Sequence, residues 1–520
     1  MSNKNFYITT TLPYVNSKPH IGFALEIVQA DVLARYKSLS GFNVFFNFGT
    51  DEHGQKIYKK ALEDGKDPQT YVDEYAKKFK ALKKALSLTY NNFIRTTNPQ
   101  HQKAAQELWK ICLKNGYIKK GIYKSKYCVG CELEKQDSEL INGRCALHPN
   151  YPIELIEEEN YFFKFSQFQD KLLALYKKFP DFVIPPNRLK EIKNFVSSGL
   201  QDFSVSRLKE KMPWGIEVPG DDKHVMYVWF DALTNYISAL GWPHNKKRFE
   251  KFWGTNEKPN AIQVAGKDNL RQQSAMWQAM LMAGNLPPTR QIFIHGFITS
   301  KGEKMSKSLG NVIDPFEYVQ NYGTDALRYF LLAKISPTED SDFTKERFEK
   351  TYNADLANGL GNLVSRILKL VELYCEGKVP PVDSTNLNPL KKNNKIHNIS
   401  KTWEDINNFL PQFRFDEALN SIWKLIKEID IYINENKPWE LANKDGRKFN
   451  LIVFNLLQSL HQIAWQIYPF LPNTSKKIAQ ILNIKELLQK KPNYKESVVI
   501  IVPGTPISPP KTLFPRLVVK

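Results

Sequence analysis

Residues 5–54 read NFYITTTLPYVNSKPHIGFALEIVQADVLARYKSLSGFNVFFNFGTDEHG. The opening NFYITT is short and β-branched, which predicts a strand ending at Thr11-Leu12-Pro13-Tyr14. A helical run begins near Gly22, FALEIVQADVLARYKSL, and stops at Gly41. NVFFNF then reads as a second strand that ends at GTDEHG. The same alternation returns later: AIQVAG ends at Lys267-Asp268, SAMWQAMLMAG is helix-like, and QIFIHG is another strand. Strand, helix, strand in this order predicts an α/β fold around a parallel sheet.

Between these two blocks, residues 113–222 differ in composition, with a cysteine cluster, Pro185-Pro186 and PWGIEVPGDD, and read as an insertion into the α/β domain. From about residue 351 the strand signals vanish. FDEALNSIWKLIKEIDIYI sets Ala418, Leu419, Ile422, Trp423, Ile426 and Ile429 on one helical face, and LIVFNLLQSLHQIAWQI repeats the pattern until Pro469. The last third is therefore expected to be an all-α bundle. A length of 520 residues suits two to four domains. No apolar run approaches the roughly 18 residues of a membrane span, so no membrane partner is expected. The start, MSNKNFYITT, resembles neither a secretory signal nor an Arg-rich presequence, and a cytoplasmic protein is expected. The 73 basic against 54 acidic residues favour polyanionic partners, nucleic acid first.

Polar clusters follow each of four strand-like runs: Tyr14 with NSKPHIG, TDEHG, GKD, and His295-Gly296. Ligands of open parallel sheets bind beyond the carboxyl ends of the strands, so four such clusters predict one shared crevice. PHIGFALE sets His20 and Gly22 at a helix N-terminus, where unpaired amides and the helix dipole attract phosphate. GEKMSKSLGN, residues 302–311, carries Lys304 and Lys307 on a glycine-bounded loop able to close over a triphosphate. Cys128-x2-Cys131, thirteen residues, then Cys145-x2-His148 has zinc-knuckle spacing, and three thiolates with one imidazole suit a closed structural Zn2+ site. A disulfide is disfavoured in a large cytoplasmic chain.

KMSKS with a His-Ile-Gly element after the first strand resembles the signature pair of class I aminoacyl-tRNA synthetases. TLPYVNSKPHIG, FGTDEHG, NNFIRTT, MYVWFDALTNYISALG, GKD and HGFITSKGEKMSKSLGN, in this order, resemble the methionyl-tRNA synthetase family. Two places depart from it. Phe23 stands where the family usually closes its first motif with a second histidine, and Gln272-Gln273 come after GKDNL where an aromatic and a histidine are common.

The resemblance implies a Rossmann-like catalytic domain split in two, residues 1–112 and 223–300, by a zinc-knuckle insertion at 113–222. It further implies a loop and stem-contact region at 301–350 and an α-helical anticodon-binding domain at 351–520. ATP with Mg2+ would meet His20, Gly22, Gly266, Lys267, Asp268, Lys304 and Lys307, with His20, Lys304 and Lys307 catalytic. L-Methionine would lie among Leu12, Tyr14, Trp229, Ala232, Tyr236 and His295, its ammonium on Asp51. Asn362, Arg366 and Trp439 would read the anticodon of tRNA(Met). Without the resemblance, Trp229 and Tyr236 read as core aromatics, Asp51 as a turn residue and Trp439 as a helix-cap anchor. The chain ends at Lys520 without the further C-terminal RNA-binding domain of some relatives, so a monomer is expected. Two rival readings are another class I synthetase or related adenylate-forming ligase and, prompted by Phe23, an inactive tRNA-binding relative. Tyr14, Trp229 and Trp439 argue against the first; His20, Asp51, Lys304 and Lys307 argue against the second.

Overall fold

The computed structural model describes residues 4–131, 133–135, 139–305, 310–383, 399–490, 492–498, 501–509 and 512–518. Strand β1 (Asn5–Thr10), helix α1 (Ile21–Leu39) and strand β2 (Asn43–Thr50) form as the opening sequence predicts. Alternation along β1 sorts its side chains. Phe6 and Ile8 face a core shared with α1, whereas Tyr7 faces the aromatic core on the other side of the sheet. With β3 (Asn92–Arg95), the central sheet has six parallel strands. Their order is β3, β2, β1, Ala261–Gly266, Gln291–His295 and Val183–Ile184. The chain leaves β1 in one direction and returns on its other side, so a crevice opens beyond Thr10 and Gly266.

The stretch expected as an insertion carries two 11-residue strands, Ile118–Cys128 and Ile153–Phe163, paired antiparallel from end to end. It is not wholly separate from the sheet. Val183 and Ile184 pair with Ile292 and Phe293 as the edge strand, a two-residue element too short to leave a periodic signal.

The C-terminal region is helical, with its longest members at Phe415–Asn436 and Gly446–Ile467. Ala418, Leu419, Ile422, Ile426 and Ile429 are buried as expected, and Trp423 is half-buried at the border of that face, packed on Tyr329 with ring centroids 4.4 Å apart. Leu425 is buried as well. The bundle shares its core with the sheet: Phe293 and Phe413 lie face to face, 4.4 Å apart and 3° from parallel. A buried ionic knot reinforces the seam. Asp31 on α1 accepts from Arg35 at 2.8 Å and pairs with Arg328 at 2.8 Å. Arg328 also donates to the carbonyls of Leu86, Pro469 and Phe470. Burial alone would raise the Asp31 carboxyl, but Arg35 and Arg328 hold it below the usual carboxylate range. Among the described residues no helix is long and apolar enough to cross a membrane.

Candidate active site

His20 is the N-cap of α1, in extended backbone conformation, and its Nδ1 accepts the Gly22 amide at 3.1 Å. A neutral imidazole with an accepting Nδ1 carries its proton on Nε2, leaving a donor on the other side of the ring. Burial pulls its pKa down to about 4, so neutral is its resting form near pH 7. Gly22 leaves room for this pose: a Cβ there would sit 2.9 Å from His20 Cε1 and push the ring aside. Phe23 stacks on the imidazole, centroids 4.2 Å apart.

The lysine loop meets this same helix start. Its first arm pairs Glu303 and Lys304 with Ser300 and Thr299, directly after His295 and Gly296. Gly302 and Gly310 take φ of +77° and +63°, a region open to glycine, at the two ends of the turn. The far arm returns to α1, where the Ile21 amide donates to the Ile313 carbonyl at 3.0 Å. Lys304 is described through its backbone, and Lys307, with Ser306, Ser308 and Leu309, lies outside the described residues.

Beside them, Gly266 and His295 are register partners on neighbouring strands. A Cβ on Gly266 would come within 2.7 Å of Asp268 Oδ1 and 3.5 Å of His295 Cε1. Lys267 pairs with Asp340 at 2.6 Å. His295 is buried, with Nδ1 against the Gly296 carbonyl at 2.7 Å and Nε2 against Glu26 at 3.0 Å. Burial opposes charging it, yet the Glu26 carboxylate raises its pKa above the ordinary value. The other Glu26 oxygen takes the Thr11 amide and hydroxyl, at 2.8 and 2.6 Å. One carboxylate thus ties the ends of two strands to α1.

In TDEHG the three residues after the threonine each have their own task. Asp51 bridges to Tyr14, its amide donating to the Pro13 carbonyl and its carbonyl accepting from Val15. Glu52, buried, accepts Arg95 through both oxygens at 2.7 and 2.9 Å and the Thr97 hydroxyl at 2.5 Å, which accounts for FIRTT. His53 Nδ1 meets Asp231 at 2.6 Å, and the other Asp231 oxygen meets His101 Nε2 at 2.7 Å. Asp231 is fully buried; burial would raise its carboxyl, but His53 and then His101 hold it below the carboxylate range. It sits in the helix Val228–Leu233 between Trp229 and Ala232, so this pairing fixes the Trp229 helix against the Asp51 turn.

Tyr236 is buried, and its hydroxyl accepts Gln273 Nε2 at 2.7 Å. The amide direction is set remotely. The Thr289 amide donates to Gln278 Oε1, the Thr289 hydroxyl donates to Gln263 Oε1, and Gln263 Nε2 donates to Gln273 Oε1 at 3.1 Å. With its oxygen occupied, Gln273 can only donate toward Tyr236, whose own proton is left for another acceptor. Gln273 lies in a π-helical segment, Gln272–Met276, a distortion that gathers at functional sites. The sequence reading noted Gln273 only as a departure and singled out His295 as a pocket wall. His295 binds Glu26 beside Gly266, and Gln273 donates to the Tyr236 hydroxyl. The cue was Gln272-Gln273 in an otherwise apolar helical run.

In the insertion, one ligand atom from each of Cys128, Cys131, Cys145 and His148 lies within 4.8 Å of the others. Cys131 Sγ is 3.4 Å from Cys145 Sγ and 3.1 Å from His148 Nδ1. Zn–S bonds of about 2.3 Å at tetrahedral angles set sulfurs about 3.8 Å apart, so the set fits zinc with small adjustment. Lys56 donates to the Gly130 carbonyl at 3.0 Å, and Arg271 pairs with Glu139 at 3.1 Å, tying the cluster to the crevice walls.

At the other end of the molecule, Asn362 opens the helix Asn362–Tyr374, exposed. Arg366 binds Asp430 and donates to Asn434 at 2.6 Å, at the last turns of Phe415–Asn436. Trp439 follows that helix in the short turn Pro438–Leu441 and is exposed.

The sequence profile of the family described as tRNA synthetases class I (M) matches residues 6–138 and 130–368, and that of the anticodon-binding domain of tRNA ligase matches 394–509. The chain is 41% identical over 517 residues to the methionine–tRNA ligase of Caldanaerobacter subterraneus, covering 99% of this chain and 79% of that one. It is 38% identical to the Brucella suis enzyme of the same name, covering 100% and 99%. A solved structure of Mycobacterium tuberculosis methionyl-tRNA synthetase in complex with methionyl-adenylate matches with a TM-score of 0.91 at 33% identity, covering 99% of this chain and 100% of that one. With fold, site elements and full-length similarity in agreement, the chain belongs to the methionine–tRNA ligase family of class I tRNA synthetases.

Proposed function

We propose that the chain activates L-methionine with ATP and transfers the product to tRNA(Met). An oxygen of the methionine carboxylate attacks the α-phosphorus of ATP and pyrophosphate leaves. The terminal ribose hydroxyl of the tRNA then attacks the acyl carbon and AMP leaves. No covalent enzyme intermediate is needed, so positioning and electrostatics carry the rate. His20 Nε2–H and the ammonium groups of Lys304 and Lys307 act on the phosphates, and Gly22, whose missing side chain lets His20 take this pose, lies beside them. Gly266, Lys267 and Asp268 take the nucleotide at the adjacent strand end. Mg2+ bound with ATP supplies phosphate charge neutralisation.

Asp51 accepts the substrate ammonium. Leu12, Tyr14, Trp229, Ala232, Tyr236 and His295 wall the side-chain pocket, where a thioether suits apolar and aromatic surroundings. Tyr236, kept protonated by burial and approached by Gln273 from behind, has its proton free for the sulfur. Cys128, Cys131, Cys145 and His148 would hold one structural Zn2+, whose role is to fix the insertion beside the crevice. Asn362, Arg366 and Trp439 read the anticodon, Trp439 by stacking. The enzyme works as a cytoplasmic monomer.

The observation that carries this reading is the Ile21–Ile313 hydrogen bond, which joins the helix start bearing His20 to the far arm of the lysine loop. The test is amino-acid-dependent pyrophosphate–ATP exchange on the full chain. Exchange driven by methionine is expected. Exchange driven by another amino acid would select a different class I synthetase, and none at all would select an inactive tRNA-binding protein.

A further inference from the structure

Two contacts and one missing side chain set the pose of the His20 imidazole. The Gly22 amide donates to Nδ1 at 3.1 Å, the absence of a Cβ on Gly22 leaves room for Cε1, and the Phe23 ring lies 4.2 Å away at 31°. Phe23 stands three residues after the N-cap, on the same side of the first turn, which brings the two rings together. It is braced in turn by Phe79, buried in the helix Pro68–Ala85, edge-on at 5.6 Å and 77°. The imidazole is thus held through a phenyl ring to a second helix. A rotation about its side-chain bonds would break the Gly22 bond and the ring contact together.

We propose that Phe23 is a positioning residue for His20, holding the imidazole in the one pose whose Nε2–H faces away from the helix start. The inference rests on the reading of His20 as a phosphate-side donor and adds how that donor is aimed. Burial, which draws His20 down to about 4, leaves one proton on the ring near neutral pH, and the Gly22 amide assigns it to Nε2. A donor already in place loses no orientational freedom as charge develops on the phosphates. Phe23 itself offers no hydrogen bond and acts only through its neighbour.

The experiment compares Phe23→Leu, Phe23→Tyr and His20→Ala, alone and combined, in methionine-dependent pyrophosphate–ATP exchange on the full zinc-loaded chain. Phe23→Leu should lower kcat about three- to tenfold, the effect expected from one lost aromatic contact, with KM for methionine unchanged. Phe23→Tyr keeps a ring and should retain kcat. In the His20→Ala background, Phe23→Leu should have no further effect. Nitrogen NMR should find His20 Nδ1 unprotonated and bonded in the parent, and both ring nitrogens shifted toward the averaged position in Phe23→Leu. An unchanged kcat in Phe23→Leu, with His20→Ala still impaired, overturns this inference alone. So does an equal loss from Phe23→Leu in both backgrounds. Full activity in His20→Ala overturns the reading of His20 and this inference with it. Thermal unfolding of Phe23→Leu separates loss of fold from loss of aim, because an unfolded fraction would lower activity without changing the His20 resonances of the folded one.

Discussion

In the crevice, buried Asp231 is gripped by two histidines, buried Glu52 by an arginine and two threonines, and buried Tyr236 by a chain of glutamines. At the far end of the bundle, Trp439 is 42% exposed, Asn362 stands in solvent, and Arg366 is held by one acid and one amide. A small apolar substrate offers few handles, so its site must be rigid before it arrives. A splayed nucleic-acid loop brings its own aromatic faces and hydrogen-bonding edges, and exposed side chains can settle onto them.

The comparison breaks most visibly at the lysine loop. Lys307→Ala should lower methionine-dependent exchange by about 10²–10³-fold, the usual cost of one donor aimed at developing charge. Charging should fall in parallel, as steady-state assays of both reactions would register. Trp439→Ala should do the reverse, raising the KM for tRNA about 5- to 150-fold, from about 1–3 kcal/mol of stacking per base. Exchange without tRNA should stay intact, and a large drop in it would mean that the two ends are not separate in function. A finer cut is Gln273→Leu. Losing one oriented hydrogen bond, worth about 0.5–1.5 kcal/mol, should reduce the preference for methionine over norleucine about two- to tenfold in kcat/KM. Chelation of the predicted zinc should leave the tRNA KM closer to the parent value than the methionine KM, because Lys56 and Arg271 link the cluster to the crevice.

The smallest expected effect concerns acid. His20 in the crevice and His461 in the bundle are both pulled to about 4 by burial, and only one of them has a candidate role. Folded values below the unfolded 6.5 mean that the unfolded chain binds more protons between pH 6.5 and 4. Their contribution to stability is therefore present above 6.5 and lost as pH falls toward 4. Urea midpoints should drop between pH 7 and 5, and His461→Leu should flatten that drop if it folds. A shifted histidine by itself identifies no site; what separates these two is the helix start beneath His20.

Much of the crevice was legible because its parts are local: β1, α1 and β2 follow one another, and a histidine at a helix start can be read from its neighbours. Glu52, His53 and Asp231 were hidden inside recognisable motifs, since a sequence names the motif but not the partner of each residue. His101 carries no mark of its own, Arg95 and Gln273 are visible only as members of NNFIRTT and of a glutamine pair, and only folding brings the three to Asp231, Glu52 and Tyr236. The knot of Asp31, Arg35 and Arg328 was equally invisible, because its acceptors are backbone carbonyls at positions 86, 469 and 470. Trp423 was placed on its face by helical periodicity, which does not tell how far a large ring at the border is covered or that it leans onto Tyr329.

The face-to-face rings of Phe293 and Phe413, with Arg328 holding carbonyls on both sides, make the seam between sheet and bundle part of one interior. Someone wishing to transplant a foreign RNA-reading tail onto this catalyst would have to redesign that boundary as well. A clean excision would strip the sheet of a wall that it cannot replace with water.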